Sequence, residues 1–254
     1  MSHARVPYTY PARVLAHRGG GVLAPENTAA GLREAKARGY RAVEFDVMLA
    51  RDEVPVLMHD HTLERTTGAT GAVAEFSAAE LAGLDAGSWR GAKFAGEPVP
   101  GFEAAGLLCR ELGLFANVEI KPYGPGGDAT AARTGTVVAA VCERIWATDP
   151  SGVLISSFAP AALEAAYAAA PHLPRAFLFD AVPADWRARM ARFECVALHC
   201  NAHKLDAATA AAVKAADLGL MCWTVNDTDL ALRLFGWGVD AVCTDRLDLF
   251  ADMQ

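Results

Sequence analysis

Short apolar runs of strand length alternate with alanine-rich helical segments along nearly the whole chain, and this alternation restricts the fold more than any other feature. Strand-like runs fall at 13–16, 42–47, 115–120, 153–156, 176–179, 196–199, 220–224 and 241–243. Helical patterns occupy 27–38, 130–146, 160–169, 206–216 and 227–235. Eight strands with helices between them fit a parallel (β/α)8 TIM barrel better than an open sheet. The 254 residues are enough for one such domain, which needs no disulfide or structural metal to bury its core.

One connection breaks the rhythm. Residues 53–60, Glu-Val-Pro-Val-Leu-Met-His-Asp, read as an extra strand, and some forty residues then pass before the helical pattern near Glu103. A structureless loop of that length is unusual, so the sequence predicts a small inserted subdomain at about 61–101. Inside it Ser77 and Glu80 have the spacing of a capping box, with Leu81 and Leu84 supplying an apolar face. With no repeat or low-complexity linker, residues 1–254 read as a single domain with an insertion.

Composition narrows the partners. A formal net charge of −7 and a pI near 5.5 argue against a nucleic-acid surface or stable association with an anionic membrane. An anionic substrate would have to be captured by local cations or a metal. No apolar stretch approaches a membrane span, and the polar Met1–Pro11 stretch lacks the core of a signal peptide. Six scattered cysteines read as buried small hydrophobes in a reducing compartment, so the expected location is cytoplasmic.

The chemistry-bearing residues sit at strand ends. Val14-Leu15-Ala16 delivers His17 and Arg18 into Gly19-Gly20-Gly21, a titratable imidazole beside a fixed cation, which suits phosphate ester chemistry. The glycines are read as room for a phosphodiester. Glu44 and Asp46 lie two apart in a strand otherwise made of Val43, Phe45 and Val47, so both carboxylates point one way. Aimed into a barrel they would be costly unless a cation sat between them, and Mg²⁺ or Ca²⁺ suits carboxylate oxygens. The competing reading is a salt-bridged or edge-exposed pair.

Glu119 and Lys121 repeat the pattern, and Pro122 stops their strand, which puts both near the end where barrel active sites lie. Glu119 could complete a three-carboxylate metal site and Lys121 could contact a phosphate oxygen; alone, the two read as a rim ion pair. His59 follows Val56-Leu57-Met58, and with His17 it offers the two imidazoles that a general acid and a general base require. Asp60 either orients a neighbour or caps a turn. His3, His61 and His172 read as structural or exposed. Cys195, His199, Cys200 and His203 match no zinc spacing and read as buried thiols, with His199 near the barrel mouth. Trp223 is either core packing or an apolar wall against the substrate's alcohol.

Taken together, His17-Arg18-Gly19-Gly20, Pro25-Glu26-Asn27-Thr28, Glu44-Phe45-Asp46-Val47 and His59-Asp60 resemble the bacterial glycerophosphodiester phosphodiesterases. So do the residues at 62–68, Val118-Glu119-Ile120-Lys121, Trp223-Thr224-Val225-Asn226 and Thr244-Asp245-Arg246, and the order matches from residue 14 to 246. The absence of an export signal makes the chain similar to the cytosolic branch. The resemblance implies a (β/α)8 barrel and metal-dependent hydrolysis of glycerophosphodiesters to sn-glycerol 3-phosphate and an alcohol. It also implies metal ligation by Glu44, Asp46 and Glu119, acid–base roles for His17 and His59, and phosphate contacts from Arg18 and Lys121. Two rivals remain: a related phosphodiesterase acting on lysophospholipids or sphingolipids, which would need an apolar mouth or a membrane-binding surface, and a non-catalytic barrel that binds glycerophosphodiesters. Gly101-Phe102 departs from the more usual polar-then-leucine pair, a departure expected to bear on alcohol specificity because the insertion would overhang the mouth.

Overall fold

A computed structural model describes residues 7–124 and 126–253; His3 and the first six residues of the Met1–Pro11 stretch lie outside them. The strands are β1 (Val14–Ala16), β2 (Ala42–Leu49), β3 (Pro55–Leu57), β4 (Phe115–Ile120), β5 (Val153–Ser157), β6 (Arg175–Phe179), β7 (Ala197–Asn201), β8 (Gly219–Trp223) and β9 (Ala241–Thr244). Hydrogen-bonded neighbours run β1-β9-β8-β7-β6-β5-β4-β2, and β2 pairs back with β1, so eight parallel strands close into a barrel. The expected (β/α)8 architecture is therefore observed. The extra strand β3 stays outside the barrel. It runs antiparallel along the outer part of β2, with Val47 opposite Leu57 and Leu49 opposite Pro55.

The helices are α1 (Ala29–Ala37), α2 (Glu64–Thr67), α3 (Ala78–Ala82), α4 (Phe102–Leu112), α5 (Asp128–Trp146), α6 (Pro160–Ala169), α7 (Trp186–Arg192), α8 (Ala207–Lys214) and α9 (Thr228–Gly236). Side-chain caps set several starts later than periodicity alone suggests. Asp206 and Asp227 accept hydrogen bonds from the Thr209 and Leu230 N–H groups, and Thr28 accepts from the Gly31 N–H. Thr28 thereby excludes Asn27 from α1 and leaves it free for another use. Only Trp186 and Met190 of α7 are buried, a pattern too sparse to read in advance.

Residues 58–101 carry α2, α3 and several 3₁₀ turns, whose Leu63, Val73, Leu81 and Val99 cluster with Val56 of β3. Ser77 and Glu80 form a reciprocal capping box on α3. Phe102 does not overhang the mouth. It is fully buried at the start of α4, its ring 6.0 Å from Phe45 and 6.5 Å from Trp146. Strand alternation puts Phe45 on the helix side of β2, so the Gly101-Phe102 departure alters the outer core.

Inside the barrel, side chains are sorted by height. Leu15, Ala42, Phe115, Leu154, Ala176, Ala197, Met221 and Ala241 pack with Tyr10 into an apolar cluster. His199 belongs to this interior and not to the mouth: it is fully buried, and its Nε2 lies 2.9 Å from the Tyr10 hydroxyl. All six cysteines are buried without forming a disulfide, in keeping with the buried-thiol reading. Among the described residues no helix is long and apolar enough to cross a membrane.

Burial pulls the His199 imidazole down to about 3, so the folded protein keeps it neutral where the unfolded chain protonates. A base depressed in this way stabilises the fold above the unfolded value near 6.5, and that stability drains away as pH falls towards 3. By this linkage His199 should cost about 2 kcal/mol of stability between pH 7 and pH 5. Urea unfolding of His199→Gln, which retains an acceptor for Tyr10, should show a correspondingly shallower loss over that interval than the unaltered protein.

Candidate active site

The upper ends of β1, β2 and β4 bring the charged residues together. Alternation turns Val43, Phe45 and Val47 outward into the helix-facing core and sends Glu44 and Asp46 inward. The parallel register sets Asp46 opposite Glu119, and Lys121 follows on the same face just past the strand. One carboxylate oxygen from each of Glu44, Asp46 and Glu119 lies within 4.8 Å of the others. His17, Glu44 and Cys243 form a second such group at the same spacing. Cys195, His199, Cys200 and His203 belong to no such group among the described residues.

The electrostatics follow from this crowding. Burial, Asp46 and Glu119 together push Glu44 well above the usual carboxylate range. Burial and Asp46 raise Glu119 to about 8. Asp46 goes the other way: burial opposes it, but Lys121, His59 and Arg18 outweigh burial and hold its carboxyl low. The Lys121 Nζ stands 3.6 Å and the Arg18 Nε 3.8 Å from the Asp46 oxygens. One oxygen of Glu44, Oε1, is buried without a hydrogen-bond partner, while Oε2 accepts the Arg18 backbone N–H at 3.0 Å.

Both histidines are held by their Nδ1 atoms. His17 Nδ1 lies 2.6 Å from Asp245 Oδ1, and Asp245 is fixed in turn by the Asn226 side-chain amide at 2.9 Å. His59 Nδ1 lies 2.6 Å from Asp60 Oδ1, so Asp60 serves to orient a neighbour. Arg65 then ties Asp60 at 2.5 Å to Glu26 at 2.7 Å, and Glu26 accepts from Arg18 at 2.9 Å. Burial, with Arg18 and Lys121 nearby, lowers His59 despite the pull of Asp46 and Asp60. This arrangement leaves Nε2 of each ring for a ligand.

A cavity of about 200 Å³ is lined by all eight residues singled out in the sequence: His17, Arg18, Glu44, Asp46, His59, Glu119, Lys121 and Trp223. Asn27 supports it from behind. It donates to Asp46 Oδ2 at 2.9 Å and accepts the Asp46 N–H at 3.0 Å, with its own backbone at φ +54°. Asn27, Glu26, Arg65, Asn226 and Asp245 had no role assigned by sequence reasoning. Asp245 is 228 residues from His17, and no local pattern links the two.

The glycines after Arg18 do not make room for a ligand. A Cβ on Gly21, at φ +52°, would sit 2.2 Å from the Asp245 carbonyl oxygen, and one on Gly20 would meet Ala24 and Gly31. The chain itself uses that space: Val22 N–H donates to the Asp245 carbonyl at 2.8 Å, seating the residue that holds His17. Beside the first cavity lies a second of about 630 Å³, and the two share His59, Glu119, Lys121 and Phe158.

Comparison with known proteins agrees with this geometry. The profile of the glycerophosphoryl diester phosphodiesterase family matches residues 17–249. A glycerophosphodiester phosphodiesterase of Caldanaerobacter subterraneus subsp. tengcongensis is 32% identical over 236 residues, covering 91% of this chain and 93% of that one. Among solved structures, a phosphodiesterase of Oleispira antarctica in complex with the product sn-glycerol-3-phosphate superposes with a TM-score of 0.89 at 36% identity, covering 96% of both chains. A glycerophosphodiester phosphodiesterase of Agrobacterium tumefaciens gives a TM-score of 0.77 at 26% identity over 95% of this chain and 99% of its own. The chain belongs to the glycerophosphoryl diester phosphodiesterase family and is an enzyme of that class.

Proposed function

We propose that the protein hydrolyses glycerophosphodiesters to sn-glycerol 3-phosphate and an alcohol, with a divalent cation and with His17 and His59 as the acid–base pair. The observation that carries this reading is the pair of carboxylate-held imidazoles flanking three clustered acids, two of them buried, in one small cavity. Phosphoryl chemistry needs such a pair, because one hydroxyl must lose a proton while the departing alkoxide gains one.

Glu44, Asp46 and Glu119 fit a hard cation, since all three donors are oxygens and Glu44 Oε1 is buried with no partner. Mg²⁺ or Ca²⁺ held there would neutralise charge on a non-bridging phosphate oxygen. Arg18 Nε, buried and without a hydrogen-bond acceptor, and the Lys121 ammonium supply further positive charge for the phosphate. Trp223 offers an apolar wall. His59 lines both cavities whereas His17 lines only the smaller, so His59 is assigned the departing alcohol and His17 the attacking hydroxyl. That hydroxyl belongs either to water or to the substrate's own glycerol. The reading treats residues 1–254 as one barrel domain with its insertion at about 61–101.

The decisive assay is turnover of the choline, ethanolamine, glycerol and inositol diesters of glycerol phosphate, with EDTA and metal add-back. Release of glycerol phosphate that EDTA abolishes and Mg²⁺ or Ca²⁺ restores is the expected result. No turnover with any metal would reject the reading, and metal-independent turnover would reject its cation.

A further inference from the structure

The small cavity has the volume for a glycerol phosphate, which leaves the adjoining space of about 630 Å³ to be explained. Aromatic rings form part of its walls. Tyr123 and Phe158 are 48% and 43% exposed, yet both line this one cavity. His61, read from sequence as structural or exposed, stacks on Tyr123 with ring centres 4.1 Å apart and planes at 20°. Phe158 is braced edge-on against Trp223 at 5.6 Å.

Several of the polar groups on these walls are already engaged. Ser157 Oγ donates to the Ile120 carbonyl at 2.7 Å and accepts from the Ala159 N–H at 3.1 Å. The Thr62 hydroxyl is bonded to the Glu64 carboxylate, and Asp60 is held by His59 and Arg65. A methylated ammonium has no hydrogen bonds to satisfy, and aromatic faces attract it directly.

On the hydrolase reading above, His59 stands between the two cavities, so the departing alcohol occupies the larger one. We propose that this aromatic cavity is the alcohol subsite and that Tyr123, Phe158 and His61 select a quaternary ammonium alcohol over polyols. Tyr123 and Phe158 line the space the cation would fill, and His61 stacks on Tyr123.

The test compares kcat/KM for three diesters of glycerol phosphate: choline, its neutral isostere 3,3-dimethylbutanol, and glycerol. The choline diester should exceed each of the others by about tenfold, within the range that aromatic recognition of a cation supplies. In Tyr123→Leu, which keeps apolar bulk but removes the ring, the choline-to-glycerol ratio should fall about fivefold or more. A neutral isostere that matches choline, or a ratio unmoved by Tyr123→Leu, overturns the proposal. Turnover of all three diesters without preference also overturns it while leaving the hydrolase reading intact. No turnover of any of them removes both.

Discussion

Replacing His59 by alanine should lower kcat on a choline or ethanolamine diester by about 10²–10⁴-fold, and most of that loss should vanish with a nitrophenyl ester of glycerol phosphate. An alkoxide is a poor leaving group and needs a proton in the transition state, whereas a nitrophenolate departs without one. His59 lines the cavity assigned to the alcohol, so on this proposal its proton is the one donated to that oxygen. His17→Ala should lose activity by a similar factor on both esters, because the attacking hydroxyl must be deprotonated whatever group departs. Equal losses of both variants on both esters would mean that neither imidazole has a separate role. Rescue of the His17 variant in place of the His59 variant would reverse the assignment. Circular dichroism on each variant separates these outcomes from misfolding.

Glu44→Gln should abolish nearly all turnover, by about 10³-fold, at metal concentrations that saturate the unaltered enzyme, since cation stabilisation of the transition state contributes several kcal/mol. The same variant should unfold at a higher temperature than the unaltered protein when both are stripped of metal. Glu44 is buried beside Asp46 and Glu119, and without a cation the folded protein keeps it only by taking up a proton that the unfolded chain does not bind at neutral pH. Glutamine removes that protonation cost, and each 1 kcal/mol regained moves Tm by about 2–4 °C in a domain of this size. Added Mg²⁺ or Ca²⁺ should raise Tm of the unaltered protein and leave the variant unmoved. Asn27→Gly tolerates the positive φ while removing the grip on Asp46, and should weaken metal affinity or activity by about 10–100-fold. A variant with intact turnover, or one that loses stability without metal, would show that Glu44 is a structural acid.

The strand ends were readable because a period of two is a local property. Glu44 and Asp46 flank Phe45, so any strand through them must put both acids on one face and the phenylalanine on the other. The same reasoning placed Glu119 and Lys121 together, and Ser77 with Glu80 marked a helix start by local hydrogen bonding alone. Helix α7 escaped because its seven residues bury only two side chains. Asn27 looked helical until Thr28 took the cap position.

Sequence order alone therefore determined the barrel, the identity of the charged groups at its mouth and the directions in which they point, because strand period and capping act over a few residues and chain length leaves room for eight such units. What only the tertiary structure decided is which distant groups meet. Asp245 reaches His17 because β9 closes the barrel against β1. Arg65 crosses from the insertion to Glu26, and the glycines after Arg18 serve backbone packing against Asp245. His199 points inward by the alternation of β7, and Tyr10, 189 residues away, gives it a partner there. Such pairings depend on ring closure and on contacts between segments far apart in the chain, which no local pattern records.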